Sequence, residues 1–123
     1  MPFYGFCSHN MLPKNNRLSK KDFEIAFKKK GKFVRLEFLT FKITENSQDI
    51  IRFGISCGTK ISKKAVVRNK IKRRLNESLR LNLGKINKGY DILVVPNSEI
   101  VKKTYQEINQ LILTFFKQSD LLN

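Results

Sequence analysis

The segment 60–80 constrains the fold more than any other, because its apolar residues recur with the period of a helix. Four apolar side chains recur at intervals of four residues: Val67, Ile71, Leu75 and Leu79. That spacing places them on one face of an α-helix, which we expect over about 63–83 with Ser62 as its N-cap. Such a helix would pack its apolar line on a sheet and leave its other faces to solvent.

The rest of this segment is basic to a degree that opposes the stability of an isolated fold. Nine basic side chains lie in it: Lys60, Lys63, Lys64, Arg68, Lys70, Lys72, Arg73, Arg74 and Arg80. Those at positions 64, 68 and 72 are stacked at successive turns, where like charges cost about 0.2–0.5 kcal/mol per pair. The face of this helix opposite its apolar residues is predicted to carry Asn69, Arg73, Asn76 and Arg80.

The charge of the whole chain indicates the class of its partner. Lys and Arg number 25 against 10 Asp and Glu, which gives a net charge of +15 in 123 residues. Ordinary solvated helix faces mix both signs of charge, whereas this one has Glu77 as its single acid. Binding of a polyanion would relieve the repulsion, and nucleic acid is the first candidate.

A first helix is predicted near the start of the folded part of the chain. Ser19 is a suitable N-cap, Asp22 suits a helix N-terminus, and Gly31 can end the helix. Phe23 and Phe27 are one turn apart on the same face.

Four further segments predict strands and a last helix. Residues 33–44 are rich in aromatic and β-branched types, which indicates a strand. Residues 50–57 are expected to form the hairpin partner of that strand, and 90–95 an inner strand. Residues 101–118 carry a wide apolar stripe and predict a final helix.

The chain lacks the usual signatures of catalysis, metal binding and membrane insertion. It has one histidine, His9, and no HExxH, GxSxG, Walker or CxxC motif. Cys7 and Cys57 are far apart, which fits a reducing compartment. No apolar run approaches the roughly 18 residues of a membrane span, and no secretory signal is evident. We expect a cytoplasmic protein with no membrane and no small-molecule substrate as partner, whose catalytic groups come from another molecule.

Four motifs occur in a fixed order along the chain. They are LSKKDFEIAF with a following GK in 18–32, RFGIS in 52–56, AVVRNKIKRRL in 65–75 and DILVV in 91–95. In this order they resemble the protein subunit of bacterial ribonuclease P, over about 12–116. Lys70 stands where that family often has Arg, which keeps the charge but loses the bidentate fork. The loop before the basic helix is one residue longer than usual.

The resemblance implies both a function and a fold. In that family an RNA subunit is the catalyst, and Mg²⁺ ions held mainly by the RNA activate the water that removes the 5′ leader of precursor tRNA. The catalytic RNA and precursor tRNA are then the implied partners. The implied fold is α+β, a mixed, mainly antiparallel four-stranded sheet packed by three helices in the order α-β-β-β-α-β-α. Its βαβ crossover is left-handed, against the usual rule. The residues predict three strands, so the fourth is expected either from 33–43 as two short strands or within 84–90.

The resemblance also assigns residues to two RNA-binding surfaces. The catalytic RNA is expected to contact Lys60, Lys63, Lys64, Arg68, Asn69, Lys70, Lys72, Arg73 and Arg80. The single-stranded leader is expected to stack on Phe23, Phe27 and Phe41, although each ring taken alone is more typical of a core. Asn69 is placed near the RNA-bound Mg²⁺, and Arg74, closer to the buried edge, is interpreted as structural.

The N-terminal region is interpreted as a leader segment followed by one domain. Residues 1–16 show no periodicity and are predicted to be extended, with 17–123 as a single RNA-binding domain. Residues 11–14, MLPK, resemble a usual start of the family, so we hypothesise that Met11 is the natural initiator.

Two other functions are compatible with the charge and the aromatic content. One is a small ribosomal or RNA-chaperone protein without associated catalysis, which only the ordered motifs oppose. The other is a DNA-binding module with the basic helix in a major groove, although no helix-turn-helix precedes it.

Overall fold

A computed structural model describes residues 12–119. Its helices are α1 (Lys20–Lys28), α2 (Ala65–Leu81) and α3 (Tyr105–Gln118), and its strands are β1 (Lys32–Leu36), β2 (Leu39–Glu45), β3 (Arg52–Ile55) and β4 (Tyr90–Pro96). Single 3₁₀ turns lie at Lys14–Asn16, Leu83–Lys85 and Ser98–Lys102. The predicted order α-β-β-β-α-β-α is confirmed. Within this part of the chain, no helix is both long and apolar enough to span a bilayer.

The strands form one mixed sheet in the order β1-β2-β4-β3. β1 with β2 and β2 with β4 are antiparallel, while β3 and β4 are parallel. The predicted hairpin between the segments 33–44 and 50–57 is therefore wrong, because β4 lies between them. The prediction of an inner strand is confirmed, and α2 connects the parallel pair. The hand of this crossover stays the prediction stated above.

The segment 33–44 folds as two strands, so the fourth strand implied by the resemblance lies here and not in 84–90. Leu36 pairs with Leu39 across a two-residue turn. Glu37 in that turn has a φ of 48°, in the left-handed region that most side chains avoid. The chain therefore reverses inside the aromatic segment and does not continue straight through it.

One face of the sheet carries the main hydrophobic core, under α2 and α3. The predicted apolar face of α2 is confirmed by Ile71, Leu75 and Leu79, all buried. The buried stripe of α3 is also confirmed: Ile108, Leu111, Ile112, Phe115 and Phe116.

The helix boundaries differ from the predicted ones at three ends. α1 ends at Lys28 and not at Gly31, although Ser19 caps it as predicted, by accepting from the amide of residue 22. α2 begins at Ala65, with Lys64 in the N-cap position and no side-chain cap. α3 begins only at Tyr105, because the preceding residues form the last 3₁₀ turn.

The folded chain begins earlier than the predicted boundary after residue 16. Leu12 is 2% exposed and belongs to the core. The side-chain amide of Asn16 donates to the carbonyl of Ile51 at 2.8 Å. The last part of the predicted leader thus packs on the domain, whereas Met11, Cys7 and the rest of 1–11 lie outside the described residues.

Candidate nucleic-acid interface

α1 packs on the face of the sheet opposite α2 and α3. Successive strand residues point to opposite faces: Phe41 stacks on Phe115 of α3, whereas its neighbour Lys42 donates to the carbonyl of Phe27 in α1. At Gly54 in β3, an added Cβ would lie 2.5 Å from the ring of Phe23. The lack of a side chain at position 54 therefore lets α1 approach the sheet closely.

A groove lies where the start of α1 meets the end of β3. Its volume is about 450 Å³, and its lining includes Lys20, Phe23, Gly54 and Ser56. The rings of Phe23 and Phe27 are nearly parallel, with centroids 6.4 Å apart and an interplanar angle of 12°. Phe27 is 56% exposed, so the helix presents an accessible aromatic surface beside the groove.

The same face of the sheet continues beyond α1 as a partly open floor. Thr40 pairs with both Arg35 and Val95, and these residues lie on the α1 face. Arg35 is exposed, and the other two are half-buried. The floor therefore combines a cation with small and apolar surface, next to the aromatic helix.

Phe41 does not belong to this surface, contrary to the prediction. Its exposure is 0%, and its ring stacks on Phe115 with centroids 3.8 Å apart and an interplanar angle of 7°. The ring faces the main core, because odd-numbered residues of β2 point away from α1. The prediction of Phe41 as a leader contact is wrong for this structure.

A third accessible aromatic, which sequence reasoning missed, lies at the other side of α1. Phe33 in β1 is 62% exposed, and the ammonium of Lys42 lies 5.2 Å from its ring centroid. Strand parity gives no signal for this residue, because Phe33 and Phe41 have the same parity in the sequence. Only the reversal at 37–38 pairs Phe33 with Lys42 and so places its ring on the α1 face.

The basic surface around α2 is accessible over most of the predicted residues. Exposed members are Lys60, Lys63, Lys64, Lys70 and Lys72, and half-buried members are Arg68, Asn69, Arg73 and Arg80. The guanidinium of Arg68 donates to the carbonyl of Ser62 at 2.8 Å, which ties the preceding loop to the helix.

Two further residues of α2 have structural contacts. The guanidinium of Arg74 donates to the carbonyl of Lys103 at 2.8 Å, which confirms its structural interpretation. Asn76 is 7% exposed, and its amide donates to the carbonyl of Lys72. Its predicted place on an open face is therefore wrong.

The groove and the basic surface are continuous along the chain. Ser56 lines the groove immediately after β3, and residues 57–64 lead from it to the start of α2. Cys57, the first residue of this connection, is buried, and its thiol donates to the carbonyl of Arg68 at 3.8 Å. Burial raises the pKa of the Cys57 thiol, while the nearby charges of Lys72 and Arg68 lower it, with a net rise.

An ion-pair cluster fixes the start of α1 over the sheet. Asp91 in β4 is buried and accepts from Arg52 at 2.8 Å through both Nε and Nη2. The same guanidinium contacts Asp22 in α1 at 3.4 Å. The pKa of Arg52 is raised, chiefly by its hydrogen bond to Asp91. This cluster links α1 to β3 and β4 beside the ring of Phe23.

Comparison with known proteins identifies the family of this fold and site. A family model described as ribonuclease P matches residues 12–120. The chain belongs to the ribonuclease P protein family. It is thus an accessory protein subunit of the endoribonuclease that processes the 5′ ends of tRNA. This membership decides against the ribosomal, RNA-chaperone and DNA-binding alternatives.

Individual relatives cover nearly the whole of both chains. The ribonuclease P protein component of Alkaliphilus oremlandii is 39% identical over 109 residues, covering 88% of this chain and 94% of its own. The Clostridium botulinum protein component is 33% identical, with 89% and 99% covered. Among solved structures, the RNase P protein from Thermotoga maritima has a TM-score of 0.74 at 33% identity, covering 83% of this chain and 96% of its own. A Staphylococcus aureus RNase P protein has a TM-score of 0.77 at 28% identity, with 88% and 98% covered.

Proposed function

We propose that the chain binds two RNAs through two surfaces, in the cytoplasm. The basic surface of α2 and the loop before it binds the catalytic RNA subunit. The groove beside α1 binds the single-stranded 5′ leader of precursor tRNA. The observation that carries this proposal is the aromatic surface of α1 beside a groove that continues into a polycationic loop and helix.

Leader binding is supported by the chemistry of the groove. The rings of Phe23 and Phe27 can stack on bases, at about 1–3 kcal/mol per base and with little preference for sequence. Lys20 at the groove and Arg35 on the sheet floor supply cations for the phosphates. An enzyme that processes many precursor tRNAs needs this tolerance of leader sequence.

Binding of the catalytic RNA is supported by the charge distribution of α2. Its exposed lysines project from a helix that contributes one acid, Glu77. Each phosphate that such cations neutralise releases counterions, so the affinity falls steeply with salt. Asn69, between Arg68 and Lys70, supplies an amide for phosphate oxygens or for water on RNA-bound metal.

Mg²⁺ is assigned mainly to the RNA subunit. Among residues 12–119, no three metal-ligating side chains cluster, so this part of the chain offers no cage of carboxylates for the ion. The basic side chains of the protein would instead neutralise the phosphates around RNA-held ions and thereby lower the Mg²⁺ concentration that the complex needs.

Reconstitution with a bacterial catalytic RNA tests the whole proposal. At low Mg²⁺, cleavage of precursor tRNA should depend on added protein, and absence of stimulation would contradict the proposed function. Phe27→Ala should reduce the preference for precursor over mature tRNA, while affinity for the RNA subunit is retained. Lys72→Ala should weaken affinity for the RNA subunit and lower the salt slope by about 1. The proposal of two surfaces is wrong if both variants act alike.

A further inference from the structure

A buried lysine sits between two exposed aromatic rings at the end of α1. Lys42 is 5% exposed, and its ammonium donates to the carbonyl of Phe27 at 2.6 Å. The same ammonium lies 5.6 Å from the centroid of Phe27 and 5.2 Å from that of Phe33. Both rings are more than half exposed, at 56% and 62%.

Burying the Lys42 ammonium destabilises the fold unless its carbonyl and ring contacts offset the lost hydration. A buried ammonium loses its hydration, which costs several kcal/mol when nothing replaces the water. Here the carbonyl lies in the last turn of α1, at the negative end of the helix dipole. The ring faces add cation–π attraction of about 0.5–2 kcal/mol each. Lys42 therefore holds the two rings in place, although neither ring is packed in the core.

We propose that Phe33 is a further base-stacking platform for the leader and that Lys42 is the positioning residue that holds it. This inference rests on the proposed leader binding by the groove and extends it to the far side of α1. The occupant is single-stranded RNA, because exposed cations lie close to Phe33 in the chain: Lys28, Lys29, Lys30, Lys32 and, on the same face of β1, Arg35. Aromatic faces interleaved with cations are typical of sites for single-stranded nucleic acid.

The register of the sheet orders the platforms along the leader. Phe33, Lys42, Leu93 and Gly54 are direct partners across the four strands. With strands about 4.8 Å apart, Phe33 lies about 14 Å from Gly54, over which Phe23 packs. The Gly54 side of the groove leads into the basic loop and α2. Nucleotides near the cleavage site would therefore meet Phe23, and nucleotides farther toward the 5′ end would meet Phe33.

A leader-length series tests the platform. Precursor tRNAs whose leaders grow in single-nucleotide steps are bound to holoenzyme assembled with wild-type or Phe33→Ala protein. Short leaders should bind both alike, and leaders long enough to reach Phe33 should bind the variant about five- to tenfold more weakly. Phe33→Trp should restore the affinity, because it keeps a stacking face. Leu81→Ala, which trims another exposed apolar side chain at 56% exposure, should match the wild type throughout.

The outcomes separate this inference from the proposed function. If Phe27→Ala loses leader affinity while Phe33→Ala matches the wild type at every length, the platform does not exist and the groove remains. If neither variant changes leader affinity, the proposed leader binding itself fails. A loss for Phe33→Ala that is equal at all leader lengths would overturn the ordering along the leader.

A second variant tests the positioning role of Lys42. Lys42→Met keeps an unbranched stem but removes the cation, so the affinity for long leaders should fall at least as far as in Phe33→Ala. Lys42→Arg should recover part of it, and the double variant with Phe33→Ala should be no weaker than Lys42→Met alone. Affinity for the RNA subunit alone should not change. Equal losses for short leaders, long leaders and the RNA subunit would show a merely structural role for Lys42.

Discussion

Two carboxylates that share the Arg52 guanidinium are predicted to contribute very differently to the free energy of unfolding. Asp91 is 2% exposed and accepts from Arg52 through two bonds of 2.8 Å and from Asn46 at 2.9 Å. Asp22 contacts the same guanidinium at 3.4 Å, with a side chain that is 42% exposed. Asp91→Ala and Asp22→Ala therefore remove partners of the same charge but of unequal burial and geometry.

The expected magnitudes follow from those differences. Removing one partner of a buried pair costs about 3–5 kcal/mol, because the other charge stays buried without compensation. The Arg52 side chain keeps 18% exposure and a second carboxylate, so we expect about 3 kcal/mol for Asp91→Ala. An exposed pair is worth at most about 1 kcal/mol, which is the upper limit expected for Asp22→Ala.

Equilibrium unfolding in urea at neutral pH measures both free energies of unfolding. The slope with denaturant should stay unchanged, so that midpoints report stability alone. Equal losses for the two variants, or a loss below 1 kcal/mol for Asp91→Ala, would refute the reasoning from burial.

Two further predictions concern a close approach and a helix cap. Gly54→Ala should cost about 1–3 kcal/mol and weaken leader binding, because the new Cβ would meet Phe23 at 2.5 Å. Gly58→Ala is the matched control, since its Cβ meets nothing within 4 Å; similar melting temperatures for the two would contradict the prediction. Thr104→Ala should destabilise by about 1 kcal/mol in thermal unfolding, because it removes the N-cap of α3. The pKa of Glu107 is lowered, chiefly by its hydrogen bond from the backbone amide of Thr104. The stabilisation that the Glu107 carboxylate gives is therefore present above the ordinary carboxyl pKa and is lost as the pH falls through the lowered pKa. Glu107→Gln should remove that part of the acid dependence, and an unchanged stability profile would contradict it.

Local sequence patterns predicted the helices and strands, whereas the predictions that were wrong depended on contacts between elements distant in sequence. The spacing of Ile71, Leu75 and Leu79 is a property of one helix, and these residues lie buried as expected. The hairpin between 33–44 and 50–57 failed because the later strand β4 inserts between them. Neighbours in sequence are usually neighbours in a sheet, and no local signal marks such an insertion.

The candidate site shows the same limit at the level of side chains. Phe41 and Phe33 are both aromatic residues of the same segment, yet one is buried on Phe115 and the other is exposed beside Lys42. The two rings have the same sequence parity and would share one face of a continuous strand, but the reversal at 37–38 puts them on opposite faces of the sheet. The prediction that Asn76 lies on an open face was wrong for a different reason. Its side-chain amide donates to a carbonyl of its own helix, so the residue tolerates burial.

The central place of β4 sets the order in which the sheet can be completed. Among the strands of residues 12–119, β4 is synthesised last, yet it is the one that joins β3 to the β1–β2 pair. A nascent chain that has not reached residue 90 can form the first hairpin, but among its residues from 12 onward no strand pairs with β3. The polycationic helix therefore leaves the ribosome before its packing surface is complete, and closing the sheet requires a long-range contact across that helix, a slow class of folding step.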